Sequence, residues 1–92
     1  MLDISYLSDD NNEHPSFIIK DSEFKLFDPA FTELKNQTGV YIDPYGKCRI
    51  YPSHQKILIS LLSKNNESRV IDFISFLKKA IQLDEVLFAD GD

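Results

Sequence analysis

At 92 residues the chain has material for one hydrophobic core and too little for a second, so a single domain, 1–92, is expected. A net charge of −5 argues against direct nucleic-acid binding, which normally needs a basic field, and the ordinary apolar fraction, with seven Phe and four Tyr, argues against disorder. The single cysteine, Cys48, excludes an internal disulfide and a thiolate zinc cluster. No apolar run approaches the roughly 20 residues of a membrane span, and no secretory signal opens the chain, so a cytoplasmic protein without membrane contact is expected.

Charge is unevenly spread. Residues 1–45 hold nine acids and three bases, residues 46–79 two acids and seven bases, and residues 80–92 four acids and no base. Acids at both ends can speed encounter with a basic partner, or simply keep the chain soluble.

In chain order, Leu2, Ile4 and Tyr6 alternate with Asp3 and Ser5, the period of a half-buried strand. The polar stretch Ser8 to His14, closed by Pro15, reads as a loop to a second short strand at Phe17-Ile18-Ile19, suiting an antiparallel hairpin. Ser22 can cap a helical turn holding Phe24 and Phe27. Asp28-Pro29 then reads as a fresh helix start, running to about Gln37 with Gly39 placed to end it. Phe24, Phe27, Phe31 and Leu34 share one face of this kinked helix.

Val40 to Tyr51 reads as a second hairpin. Pro44 suits the turn and Gly46 the left-handed position of a bulge. That register pairs Ile42 with Cys48 and Val40 with Ile50. It puts Val40, Ile42, Cys48 and Ile50 on one face and Tyr41, Asp43, Lys47, Arg49 and Tyr51 on the other. A helix follows from about His54 to Lys64 with Ser53 as its cap. A longer one spans about Ser68 to Leu83, with Val70, Phe73, Ile74, Leu77, Ala80 and Ile81 buried and Arg69, Asp72, Lys78, Lys79 and Gln82 wet. Val86 to Ala89 makes a last short strand. The expected fold is α+β: an antiparallel or mixed sheet, helices mainly on one face, order ββαββααβ.

Catalytic readings are weak. Cys48 falls on the apolar face of the hairpin, away from Arg49, and reads as a small hydrophobe rather than an activated nucleophile. His14 and His54 lack metal-site spacing, although Asp9, Asp10 and Glu13 could join His14 around a cation. There is no glycine-rich phosphate loop, serine elbow or paired catalytic acid, so neither enzyme activity, metal nor cofactor is expected.

Binding readings are stronger. Tyr41, Arg49 and Tyr51, with Tyr45 at the turn, are residue types enriched at interface hot spots. The alternative is that a helix covers this face. Asp84, Glu85 and Asp90 flank the last strand, which is either an edge offering main-chain groups and negative charge or an acidic, frayed end.

The acidic loop Asp9-Asp10-Asn11-Asn12-Glu13, the tyrosine-rich stretch Tyr41 to Tyr51 and the acidic segment Asp84 to Asp92 together resemble the small acidic immunity proteins that accompany bacterial toxins, including those of contact-dependent inhibition and related polymorphic toxin systems. The resemblance is one of type across the chain, without a shared motif. It implies a tight stoichiometric complex with a cognate toxin domain, often a basic nuclease. Contact residues would come from Asp9, Asp10, Glu13, Tyr41, Tyr45, Arg49, Tyr51, Asp84, Glu85 and Asp90. The basic stretch Lys47 to Lys79 departs from a simple acidic decoy. A small regulatory or accessory subunit is the alternative.

Overall fold

The computed structural model describes residues 1–8 and 14–92. Among these residues, four strands form one antiparallel sheet: β1 (Leu2–Tyr6), β2 (Phe17–Ile19), β3 (Lys47–Ile50) and β4 (Leu87–Gly91). Their spatial order is β2-β1-β4-β3. Three helices complete the fold: α1 (Phe24–Thr38), α2 (Pro52–Leu62) and α3 (Ser68–Gln82), with a 3₁₀ turn at Asp21–Glu23 leading into α1. The class is α+β, as the alternating and helical apolar periods imply.

Alternation along β1 sends Leu2, Ile4 and Tyr6 into the core and leaves Asp3 exposed. The same face carries Phe17 and Ile19 of β2, Ile50 of β3, and Leu87 and Ala89 of β4. Helices pack on that face. Phe17 stands 6.2 Å from Phe27 of α1 and 5.0 Å from Phe73 of α3, and Phe27 meets Phe73 edge-on at 5.3 Å. Edge-on rings at these separations are favoured by the ring quadrupole beyond the area they bury.

The order differs from expectation at one element. The Val40–Ile50 hairpin does not form. Val40 to Ile42 has no strand geometry, and β3 pairs with β4 instead, matching Cys48 to Ala89 and Ile50 to Leu87. The face sorting survives in part: Ile42 and Ile50 are buried and Asp43, Lys47, Arg49 and Tyr51 exposed, whereas Val40, Tyr41 and Cys48 are all half-buried. The period of two sets faces and is indifferent to which strand is the partner. β4 is a central strand between β1 and β3, so the expected acidic edge or frayed end is also overturned. Gly46 is not left-handed; among the glycines only Gly39 has a positive φ, 82°. Asp43 makes the turn, its Oδ1 accepting from the Tyr45 amide at 2.9 Å and its carbonyl from the Gly46 amide at 3.2 Å.

Helix boundaries shift for local reasons. α1 begins at Phe24 and runs through Pro29 rather than restarting there. Lys25 and Pro29 are both exposed, so the carbonyl deprived of its partner lies on the wet side, where water can satisfy it. Gly39 ends α1 as expected, its amide on the Lys35 carbonyl at 2.8 Å. α2 starts earlier than expected, capped at Tyr51 rather than Ser53: Pro52 takes the first helical position and His54 Nδ1 accepts from the Tyr51 amide at 3.2 Å. α3 ends with Asp84 left-handed at φ 55°. The Glu85 amide reaches back to Ala80 and the Asp84 amide to Ile81, a Schellman arrangement with aspartate where glycine is usual.

Candidate functional site

Among the described residues, no helix or strand covers the face of the sheet opposite the helices. The register lines up Ile18, Asp3, Asp90 and Lys47 across all four strands, and beside them Ser5, Phe88 and Arg49. Ile18, Asp3, Asp90, Lys47 and Arg49 are exposed, and Ser5 and Phe88 half-buried. Asp3 stands directly opposite Asp90, a like-charge pair that costs stability, and Lys47 stands on the other side of Asp90. Among the described residues neither Lys47 nor Arg49 forms an ion pair.

β3 and its flanks contribute a stripe. Tyr45, Lys47, Arg49 and Tyr51 are alternate residues and all exposed, Tyr45 at 76% and Tyr51 at 44%. Tyr45 projects from the turn that Asp43 holds. Tyr51 stacks edge-on against His54, ring centres 5.8 Å apart. Three steps of two residues thus present three of the expected contact residues together: Tyr45, Arg49 and Tyr51.

Tyr41 is not among them. It is half-buried, its hydroxyl donates to Asp28 Oδ1 at 3.3 Å, and the Lys35 ammonium lies 5.3 Å from its ring centre. Burial, then the Asp28 charge and hydrogen bond, push its pKa up. The helix-covered alternative therefore holds for Tyr41 and fails for Arg49 and Tyr51. Asp84 is exposed but occupied in ending α3. Glu85 is half-buried and accepts from the Ser8 hydroxyl at 2.8 Å. Asp90 belongs to the open face. Asp9, Asp10 and Glu13 lie outside the described residues.

Chemistry-bearing groups are otherwise engaged. Cys48 faces the helix side, half-buried, and burial with the nearby Asp43 charge pushes its thiol up, opposite to an activated thiolate. His54 caps α2. The His14 ring lies 5.0 Å from Tyr6. Among the described residues no three His, Cys, Asp or Glu side chains gather as metal ligands, and no helix is long and apolar enough to cross a membrane.

Two side chains that sequence reasoning passed over organise the site from beneath. Gln55 is fully buried, and its Nε2 donates to the carbonyls of Ile50 and Glu85, each at 2.8 Å, tying β3 to the chain entering β4. Arg69, expected on the wet side of α3, is half-buried. Its guanidinium lies 4.4 Å from the Phe17 ring centre, bonds Glu23 at 2.8 Å and donates to the Ile18 carbonyl at 2.5 Å. No local signal marks either residue, because each is defined by a partner remote in sequence. Gly91 is likewise defined by a remote contact. A Cβ there would collide with the backbone of Asp43 and Pro44, and its amide bonds the Gly46 carbonyl at 2.6 Å.

No protein-family model, curated protein or solved structure matches the chain.

Proposed function

We propose that this chain is a non-catalytic binding protein that neutralises a cognate bacterial toxin domain by forming a tight stoichiometric complex in the cytoplasm. One observation carries the reading: the stripe Tyr45, Lys47, Arg49 and Tyr51 stands exposed beside an uncovered sheet face bearing Phe88, Asp3 and Asp90. Tyrosine and arginine bury large area at modest entropic cost, which suits a slowly dissociating anchor. The net charge of −5 adds an acidic field that speeds encounter with a basic toxin domain such as a nuclease. The raised Cys48 pKa and the engagement of His54 as a helix cap speak for binding over catalysis.

Co-expression with a candidate toxin domain from a neighbouring gene tests the reading. Growth arrest should be relieved and the two chains should purify together in equal amounts. Tyr45→Ala should raise the dissociation rate, by about 2 kcal/mol if Tyr45 is a hot spot, without changing stability. Growth arrest that persists although the chain is folded and abundant would overturn it.

A further inference from the structure

Hydrogen-bond parity in an antiparallel ladder decides where each strand's main-chain groups point. The Gly91 amide donates to the Gly46 carbonyl, so Gly46 faces β4, and with it, by alternation, Cys48 and Ile50. Lys47 and Arg49 must then aim their amides and carbonyls away from the sheet. β3 is an end strand. No hydrogen bond engages those outward groups among the described residues.

The other end strand is treated differently. The Asp92 amide bonds the Met1 carbonyl and the Leu7 amide the Val86 carbonyl, so odd residues of β1 face β4 and even ones face β2. Leu2 and Ile4 therefore exchange bonds with Ile19 and Phe17, and Ile18 points outward. Its carbonyl is taken by Arg69. On one edge a side chain caps the outward carbonyl; on the other no outward group is engaged among the described residues, and open edges are what extended chains add to.

We infer that the outer edge of β3 is a docking site for an acidic, extended segment of another protein, which joins the sheet as a further strand. The charge of the edge selects this occupant. Added residues on the open face would sit beside Lys47 and Arg49, two cations without ion-pair partners among the described residues. Residues of the other parity would face the helix side, beside half-buried Cys48, where apolar side chains fit. A second copy of this chain is disfavoured, because two β3 edges paired antiparallel would set Lys47 and Arg49 against their own counterparts. The inference goes beyond the toxin reading and holds for any partner carrying such a segment.

The test uses the full chain, isotope-labelled, and a short synthetic peptide in which Glu alternates with Val, followed by amide hydrogen exchange and chemical shifts. In the free protein the Lys47 and Arg49 amides should exchange fast while those of Cys48 and Ile50 are protected. The peptide should slow the first pair by about tenfold or more, and the same peptide with Lys for Glu should bind roughly tenfold more weakly. Arg49→Pro should abolish peptide binding yet leave Cys48 and Ile50 protected, since it removes an outward donor and a cation but no bond to β4. Lys47→Glu with Arg49→Glu should reverse the preference between the two peptides. Lys47 and Arg49 amides already protected in dilute free protein would overturn the inference. So would protection that rises with protein concentration alone, which would make a second copy the occupant, equal binding of both peptides, or shifts that map away from β3.

Discussion

The two end strands of the sheet are built to opposite rules. β2 offers one outward residue, Ile18, and spends an arginine on it: Arg69 bonds its carbonyl, lies over the Phe17 ring and is held in turn by Glu23. Glu23 also accepts from the Lys20 amide at 3.1 Å, so the turn after β2, the edge and α3 form one latch. Behind it lies the aromatic core of Phe17, Phe27, Phe31 and Phe73. β3 offers two outward residues with cationic side chains and, among the described residues, no such cover. Its attachment is from inside, through β4 and through Gln55. A closed edge stabilises a monomer against unwanted pairing; an edge secured only from within remains able to accept a strand.

The largest expected effect lies on the closed side. Phe73 is fully buried and touches rings from both β2 and α1, so Phe73→Ala should cost about 3–5 kcal/mol, measured by denaturant unfolding. The loss should unsettle the whole fold, β3 included; a variant that frees β2 alone would show that the two flanks share less core than the ring contacts imply.

Gln55→Ala comes next and acts on the open side. It strips the Ile50 and Glu85 carbonyls of a buried donor, for which about 1–3 kcal/mol is expected. The specific sign is hydrogen exchange: amides of β3 should lose protection before those of β1. Equal losses in both strands would mean that Gln55 supports the core generally rather than tethering β3.

The smallest effect is the most selective, and it is read against pH. The Arg69 guanidinium, and after it the Lys20 amide, hold the Glu23 carboxyl below the ordinary glutamate value of 4.5. A carboxyl whose pKa is lower folded than unfolded contributes stability that is complete above the unfolded value and is lost as pH falls through the folded one. Glu23→Gln should therefore destabilise the protein near neutral pH, and the difference from the parent should vanish in acid well below 4.5. A difference that stays constant with pH would remove the ionic part of the latch and leave only packing.

The sequence by itself determined the three helices and all four strands as isolated elements, and it added a strand at residues 40–42 that does not form. Periods of two and of about 3.6 report which side of an element is apolar, and burial follows from that. Thus Leu2, Ile4 and Tyr6, the Phe27–Phe31–Leu34 face and the split of Ile50 from Arg49 were all legible. So was the end of α1 at Gly39, because only the local backbone decides it. Of the candidate site, the residue types along Tyr45, Arg49 and Tyr51 could be read, but not the removal of Tyr41 to α1. Tertiary structure alone decided pairing. A local hairpin from Val40 to Ile50 was consistent with every neighbouring residue, yet β4, nearly forty positions away from β3, took its place between β1 and β3. A central β4 hydrogen-bonds along both of its edges and buries Leu87 and Ala89 under the helices, a gain that appears only when the whole sheet is assembled. The same assembly brought Arg69 to Ile18 and Gln55 to Ile50, and left the outward groups of β3 unengaged among the described residues.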